Sequence, residues 1–227
     1  MYRVFISRIL EKDSCFKDLN PIKYHLIEES LIEFEMIQVD LLPKADWYFF
    51  YSKNGVKYFL QNFGSQYFSS CDKINIACMG AGTKDYFLKH IDYPVSFTGS
   101  GKPNQVTKAF LKIINPSDRL IFFTAFDSLH SVGNFLPPEY NQIQIPLYYN
   151  RIKKNFQPQE VDILIFTSPK NVEAYFQFQT VDQQVPIICI GPSTANKLHE
   201  IGRQEVIHAI TPSENGLLQA LQLITWK

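Results

Sequence analysis

The stretch Asp162–Phe176, DILIFTSPKNVEAYF, decides the fold, because the chain carries it twice. Its partner is Asp46–Leu60, DWYFFYSKNGVKYFL, 116 residues earlier, with identities at Asp46/Asp162, Phe50/Phe166, Ser52/Ser168 and Val56/Val172. Each copy opens on a short apolar run, breaks at a serine, and continues with apolar residues at helical spacing. That is a buried strand, a turn and an amphipathic helix, the unit of a parallel α/β sheet. A second pair follows. Ile74–Leu88, INIACMGAGTKDYFL, matches Val185–Leu198, VPIICIGPSTANKL, with Cys78/Cys189, Gly80/Gly191 and Thr83/Thr194 at an offset of 111. Asn104 and Asn215 fall at that same offset, each at the opening of a helical pattern. One change of offset, absorbed by a loop, leaves an internal repeat of two α/β domains.

Working outward, Tyr2–Ser7, Pro94–Phe97, Arg119–Thr124 and Val206–Ala209 read as strands, and Asn104–Ile114 and Glu214–Ile224 as helices. A further helix is expected around Ser128–Leu136. HLIEESLIEFEMIQV from His25 and QIQIPLYYNRI from Gln142 read as extended stretches with no helix stop. The second repeat holds three strands after Asp162 and the first holds four after Asp46, so the C-terminal half is expected to borrow Tyr2–Ser7. The expected fold is α/β, with two similar parallel-sheet domains joined by a two-stranded linker. Residues 1–31 plus 153–227 form one domain, 38–142 form the other, and 32–37 and 143–152 are the linker strands.

Lys+Arg and Asp+Glu are each 22 in 227 residues, so the chain lacks the basic surface of a general nucleic-acid binder. Hydrophobic residues at 45% exclude disorder, and 19 Phe with 12 Tyr are expected to fill a Phe-rich core rather than a base-stacking platform. Cys15, Cys71, Cys78 and Cys189 form no CxxC pair and read as buried, reduced thiols of a cytosolic protein. MYRVFISRIL is too short and too charged for a signal peptide, and no apolar run reaches the roughly 20 residues of a membrane span. A cytoplasmic, monomeric protein is expected, with no membrane partner.

Both repeats end a strand at a serine, Ser52 or Ser168, before a helix. Ligands of open α/β sheets bind at the carboxyl ends of strands, where a hydroxyl caps the helix or joins free backbone N–H groups in holding an anion. The GAGT and GPST turns put Thr83 and Thr194 at the next two helix starts. Four equivalent turns facing a common cleft point to anion recognition. Other chemistry fails on inspection. TGSGKP from Thr98 departs from a P-loop at Ser96 and Pro103, and GAGTKD lacks the third glycine of a dinucleotide fingerprint. His25, His90, His130, His199 and His208 show no metal spacing, and Asp127, Ser128 and His130 are adjacent in sequence without forming a triad.

VDILIFTSPKNVEAYF, VPIICIGPSTANKL and TPSENGLLQAL together resemble the uroporphyrinogen-III synthase family in order and spacing, and the first half repeats the pattern more loosely. Ser7–Ile9 (SRI) stands where that family commonly has Thr-Arg-Pro, SLIEFEMI from Ser30 resembles its first linker, and PLYYN from Pro146 its second, with Asn150 in place of a Thr. TAFDSLHSV from Thr124 lacks an Arg-containing segment that many members carry. The resemblance implies a lyase that takes the linear tetrapyrrole hydroxymethylbilane, removes water and closes the macrocycle with ring D inverted, with no metal or organic cofactor. It implies Tyr148 as the catalytic acid. It also implies Arg8, Ser52, Thr83, Ser168, Lys170, Ser193 and Thr194 as the groups that meet the substrate's carboxylates. The competing expectation is a non-catalytic, two-domain ligand-binding or regulatory module on the same architecture.

Overall fold

The computed structural model describes residues 1–69 and 73–224. In chain order the first strands are β1 (Tyr2–Ile6), β2 (Tyr24–Glu28), β3 (Ile32–Met36), β4 (Trp47–Phe50), β5 (Asn75–Cys78) and β6 (Phe97–Thr98). They are followed by β7 (Arg119–Ala125), β8 (Asn141–Ile152), β9 (Ile163–Phe166), β10 (Ile187–Cys189) and β11 (Ile207–His208). The helices are α1 (Lys53–Phe63), α2 (Ala81–His90), α3 (Pro103–Phe110), α4 (Pro169–Phe178), α5 (Pro192–Glu200) and α6 (Glu214–Gln222).

The chain divides into two compact units, residues 1–33 with 151–227, and residues 34–150. The first holds a five-stranded sheet in the order β11-β10-β9-β1-β2. The second sheet has six strands in the order β3-β8-β7-β4-β5-β6. The pairings of β1 with β2 and β9, and of β4 with β5 and β7, are parallel, as are those of β7 with β8 and β10 with β9. Read from the same edge, β11-β10-β9-β1-β2 corresponds to β6-β5-β4-β7-β8. The first strand of the chain therefore stands in one sheet where β7 stands in the other.

The amino ends of the strands carry the same correspondence. Asp162 takes the Arg3 backbone N–H at 2.7 Å and both Nε and Nη2 of the Arg3 guanidinium. Asp46 takes the Arg119 backbone N–H at 2.8 Å and the same two guanidinium nitrogens. One ion-paired latch, built from an Asp before the central strand and an Arg opening its neighbour, thus recurs in both sheets.

The central strands β4, β9 and β10 are apolar and buried along their whole length because both faces of the sheet are covered there. Along β4 the side chains alternate: Tyr48 and Phe50 pack with Val56, Phe59, Phe87 and Phe123 on one face, and Trp47 and Phe49 pack with Val106, Phe110 and Phe122 on the other. Along β9, Leu164 and Phe166 join Phe5, Val172 and Tyr175, while Ile163 and Ile165 join Val4, Ile6 and Leu217. The largest fully buried side chains are Phe and Tyr, as the composition led us to expect.

Several local expectations are corrected. The stretch from His25 splits into β2 and β3, because Leu31 is fully buried and gives its N–H to Asn171 Oδ1 at 2.9 Å. Only a single 3-10 turn, Gly133–Phe135, forms where a helix was expected around Ser128–Leu136. Pro137 follows one residue after the turn, and glycine and proline both work against a helix there. The strand placed at Pro94–Phe97 is Phe97–Thr98, since Pro94 has no N–H for the ladder. Cys15 is half-buried rather than buried, Cys78 and Cys189 are buried and free, and Cys71 lies outside the described residues. Burial pushes the Cys78 thiol up to about 12, which keeps it a protonated, inert packing group.

Candidate functional site

In the unit of residues 34–150, β4 ends at Phe50 and Ser52 caps α1 from an extended backbone, φ −151° and ψ 164°. Its Oγ accepts the Gly55 N–H at 3.1 Å. Serine at this position satisfies one of the free N–H groups of the first turn. The same Oγ lies 3.1 Å from the Tyr148 phenol oxygen. Tyr148 stands on β8, where the pairing with β7 slips: Thr124 faces Pro146, and Ala125 faces Tyr148. Pro146 has no N–H, so the ladder resumes one residue further on, with the Phe126 N–H donating to the Tyr148 carbonyl at 2.8 Å.

The Tyr148 ring is 6% exposed. It stacks on Tyr58 of α1 at 5.0 Å between centroids and meets the edge of Phe34 of β3 at 5.8 Å. Burial is the main cause that pushes its pKa up from the ordinary phenol value. The hydrogen bond with Ser52 opposes that shift, and the Asp127 carboxylate adds to it. Tyr148 is therefore a neutral phenol at pH 7, and acts as a hydrogen-bond donor more readily than as a free phenolate.

In the other unit Ser168 caps α4 with almost the same backbone, φ −161° and ψ 155°. Its Oγ accepts both the backbone N–H of Asn171, at 3.3 Å, and the Asn171 side-chain amide, at 2.9 Å. Asn171 stands where the first repeat has Gly55. Beside this turn, Ser7 at the end of β1 and Thr167 exchange hydrogen bonds: Thr167 N–H to Ser7 Oγ at 2.9 Å, and Thr167 Oγ1 to the Ser7 carbonyl at 3.1 Å. Lys170 lies half-buried in the first turn of α4.

The two glycine turns differ from their sequence reading. Gly80 and Gly191 take the cap positions of α2 and α5, with no side-chain cap. Thr83 and Thr194 are the third residues of those helices and face inward, 8% and 1% exposed. Thr194 Oγ1 is buried without a hydrogen-bond partner among the described residues. The helix-start hydroxyls are thus not caps, and the exposed polar atom of the GPST turn belongs to Ser193.

Arg8 follows β1 and is ion-paired with Glu214 at 3.2 Å, and Ser14 donates to the other oxygen of that carboxylate at 2.6 Å. Glu214 opens α6, whose cap is Ser213, φ −146° and ψ 166°, accepting the Gly216 N–H at 3.1 Å. Ser213 repeats the geometry of Ser52 and Ser168 and was not singled out from the sequence. The signal was there in TPSENG, a serine directly before a helical pattern. Among the described residues no group of three His, Cys, Asp or Glu is placed to hold a metal ion, and no helix is long and apolar enough to cross a membrane. A polar groove bounded by Lys44, Asp46, Lys73 and Arg119 opens at the amino ends of β4, β5 and β7, away from Ser52.

Comparison with known proteins follows the same lines. A family model described as uroporphyrinogen-III synthase HemD matches residues 20–219. No curated protein matches. A crystal structure of uroporphyrinogen-III synthetase from Helicobacter pylori 26695 superposes with a TM-score of 0.73 at 20% identity, covering 99% of this chain and 100% of that one. A mutant uroporphyrinogen III synthase from the extremely thermophilic bacterium Thermus thermophilus superposes with a TM-score of 0.60 at 17% identity, covering 98% of this chain and 99% of that one. At these identities the two structures speak for the fold, while the family model covers most of the sequence. The chain belongs to the uroporphyrinogen-III synthase HemD family.

Proposed function

We propose that this chain is a uroporphyrinogen-III synthase, which converts hydroxymethylbilane into uroporphyrinogen III with loss of water and inversion of ring D. The family match over residues 20–219 supports the reaction, and the observation that supports catalysis by this chain is the buried, neutral Tyr148 phenol beside the Ser52 cap. The substrate's hydroxyl sits on a carbon attached to an electron-rich pyrrole. Its departure needs a proton and little more. Tyr148 gives its proton to the leaving oxygen as the C–O bond breaks, and water is released. The pyrrole carbon that forms the closing bond then loses a proton, which restores the phenol.

Most of the rate comes from holding the two ends of the chain together. The substrate's acetate and propionate groups are met by the first turns of the helices, where free N–H groups and the helix dipole favour anions. In this proposal Ser168, Lys170 and Ser193 add side-chain donors. Because Thr83 and Thr194 face inward, the GAGT and GPST turns contribute through backbone N–H groups rather than through their threonine hydroxyls. Arg8 uses one guanidinium nitrogen on Glu214 and has further N–H groups for a substrate carboxylate.

The reading includes a monomer that works in the cytoplasm without a cofactor; the free thiols of Cys15, Cys78 and Cys189 fit a reducing compartment. The test is isomer analysis of the product formed from hydroxymethylbilane by purified protein, with chelator present and with the mass followed by light scattering.

A further inference from the structure

The two copies of the repeat use their capping serines differently. Ser168 Oγ receives two donors from one residue, the backbone N–H and the side-chain amide of Asn171. The first copy has Gly55 at that position, which offers only its backbone N–H, at 3.1 Å from Ser52 Oγ. Space is not the reason for the glycine. A Cβ on Gly55 meets the Phe123 carbonyl at 3.5 Å and Ser52 Oγ at 3.8 Å, ordinary contact distances. What the glycine does is leave the second valence of Ser52 open, and Tyr148 Oη occupies it at 3.1 Å.

A serine hydroxyl has one proton and two lone pairs, and a phenol likewise both donates and accepts. With one lone pair of Ser52 taken by the Gly55 N–H, its proton is free to point at the Tyr148 oxygen. With Ser52 as the donor, the phenol keeps its own proton for an acceptor other than Ser52. The groups around this phenol are Tyr58 of α1, Phe34 of β3, Ser52 itself and the Asp127 carboxylate. Of these only Ser52 is within hydrogen-bond distance of the oxygen among the contacts described.

We propose that Ser52 is a positioning residue for Tyr148: it donates to the phenol oxygen, fixes the direction of the phenol proton, and holds the negative charge on that oxygen while the proton is on the departing water. This rests on the proposed role of Tyr148 as acid. It removes Ser52 from the substrate-binding set and gives it a role in the chemical step. The proton balance is unchanged: one proton leaves Tyr148 with the hydroxyl and one returns from the pyrrole carbon at ring closure.

The test compares Ser52→Ala, Ser52→Gly, Ser52→Thr, Tyr148→Phe and Ser52→Ala/Tyr148→Phe in turnover of hydroxymethylbilane to uroporphyrinogen III. Glycine is nearly as good a cap as serine, so Ser52→Gly removes the hydroxyl with little loss of helix stability. The expected result is a fall in kcat of about three- to tenfold in both Ser52→Ala and Ser52→Gly, with KM unchanged, the scale of one hydrogen bond. Ser52→Thr restores kcat, and the double variant is no slower than Tyr148→Phe alone. A Ser52→Gly enzyme that keeps its kcat, or loses only KM, overturns the proposal while leaving Tyr148 as acid. So does a double variant in which the two losses multiply. If Tyr148→Phe itself turns over at the unaltered rate, the acid reading fails and the role of Ser52 falls with it.

Discussion

The Ser52 hydroxyl oxygen lies 3.1 Å from the Tyr148 phenol oxygen, which ties the turn after β4 to a residue 96 positions further along the chain. That bond joins the cap of α1 to the bulged part of β8, so the backbone slip at Thr124 and Ala125 fixes where the phenol stands. The first prediction concerns that phenol. Tyr148→Phe keeps the fold, because the ring and its stacking on Tyr58 remain. It lowers kcat by about ten- to a hundredfold, at or below the low end for loss of a positioned acid, since the substrate hydroxyl leaves readily. Steady-state rates on the two proteins check this, and equal kcat contradicts it.

Thr194 gives a prediction that separates hydroxyl from backbone. Its Oγ1 is buried and unpartnered among the described residues. Thr194→Val replaces that hydroxyl with a methyl of nearly the same shape and removes an unsatisfied polar group, so stability is unchanged or rises, by up to about 1–3 kcal/mol. KM for hydroxymethylbilane stays the same. A loss of stability, or a KM raised tenfold, shows that the hydroxyl does bind a partner.

Ser168→Ala removes the cap of α4, and two donors of Asn171 lose their acceptor. The expected cost is about 1 kcal/mol, with Ser168→Gly costing a few tenths. Urea denaturation of both variants measures the difference, and a Ser168→Ala protein as stable as the parent rules out a capping role.

The latch aspartates predict an acid dependence. Hydrogen bonds from Arg119 hold the Asp46 carboxyl below its ordinary value, and those from Arg3 do the same for Asp162. A carboxyl whose pKa is lowered by folding stabilises the fold fully above its unfolded value, near 4, and loses that contribution as pH falls through the folded value. Denaturation midpoints are therefore flat with respect to these groups from pH 7 to about 5 and fall below about 4. Asp46→Asn/Asp162→Asn lowers the midpoint at pH 7 and flattens the acid slope. An unchanged slope contradicts this assignment.

The sequence made the α/β class legible through period and repetition: Tyr48/Phe50 against Trp47/Phe49 already encode a strand buried on two sides. The aspartate of each latch was visible in the repeat. Its arginine was not, because Arg3 precedes its partner strand and Arg119 follows it, and no linear alignment brings those together. The break between β2 and β3 was hidden for a similar reason. The local pattern stays extended through Ser30, and it is the distant Asn171 that bends the chain there. At the site, the serines announced themselves as caps, but which serine meets Tyr148 depends on Gly55 against Asn171, a difference that only the fold makes meaningful. Thr83 and Thr194 read from the sequence as helix starts, but Gly80 and Gly191, each three residues earlier, take the cap positions and leave the threonines free to turn inward.

The most direct test is the isomer ratio of the product. Hydroxymethylbilane left alone closes to uroporphyrinogen I, without inversion of ring D. With the purified protein present, uroporphyrinogen III is expected as the dominant product, formed in proportion to enzyme added. A product that remains isomer I at every protein concentration contradicts it, and favours a ligand-binding module that has kept the fold without the reaction.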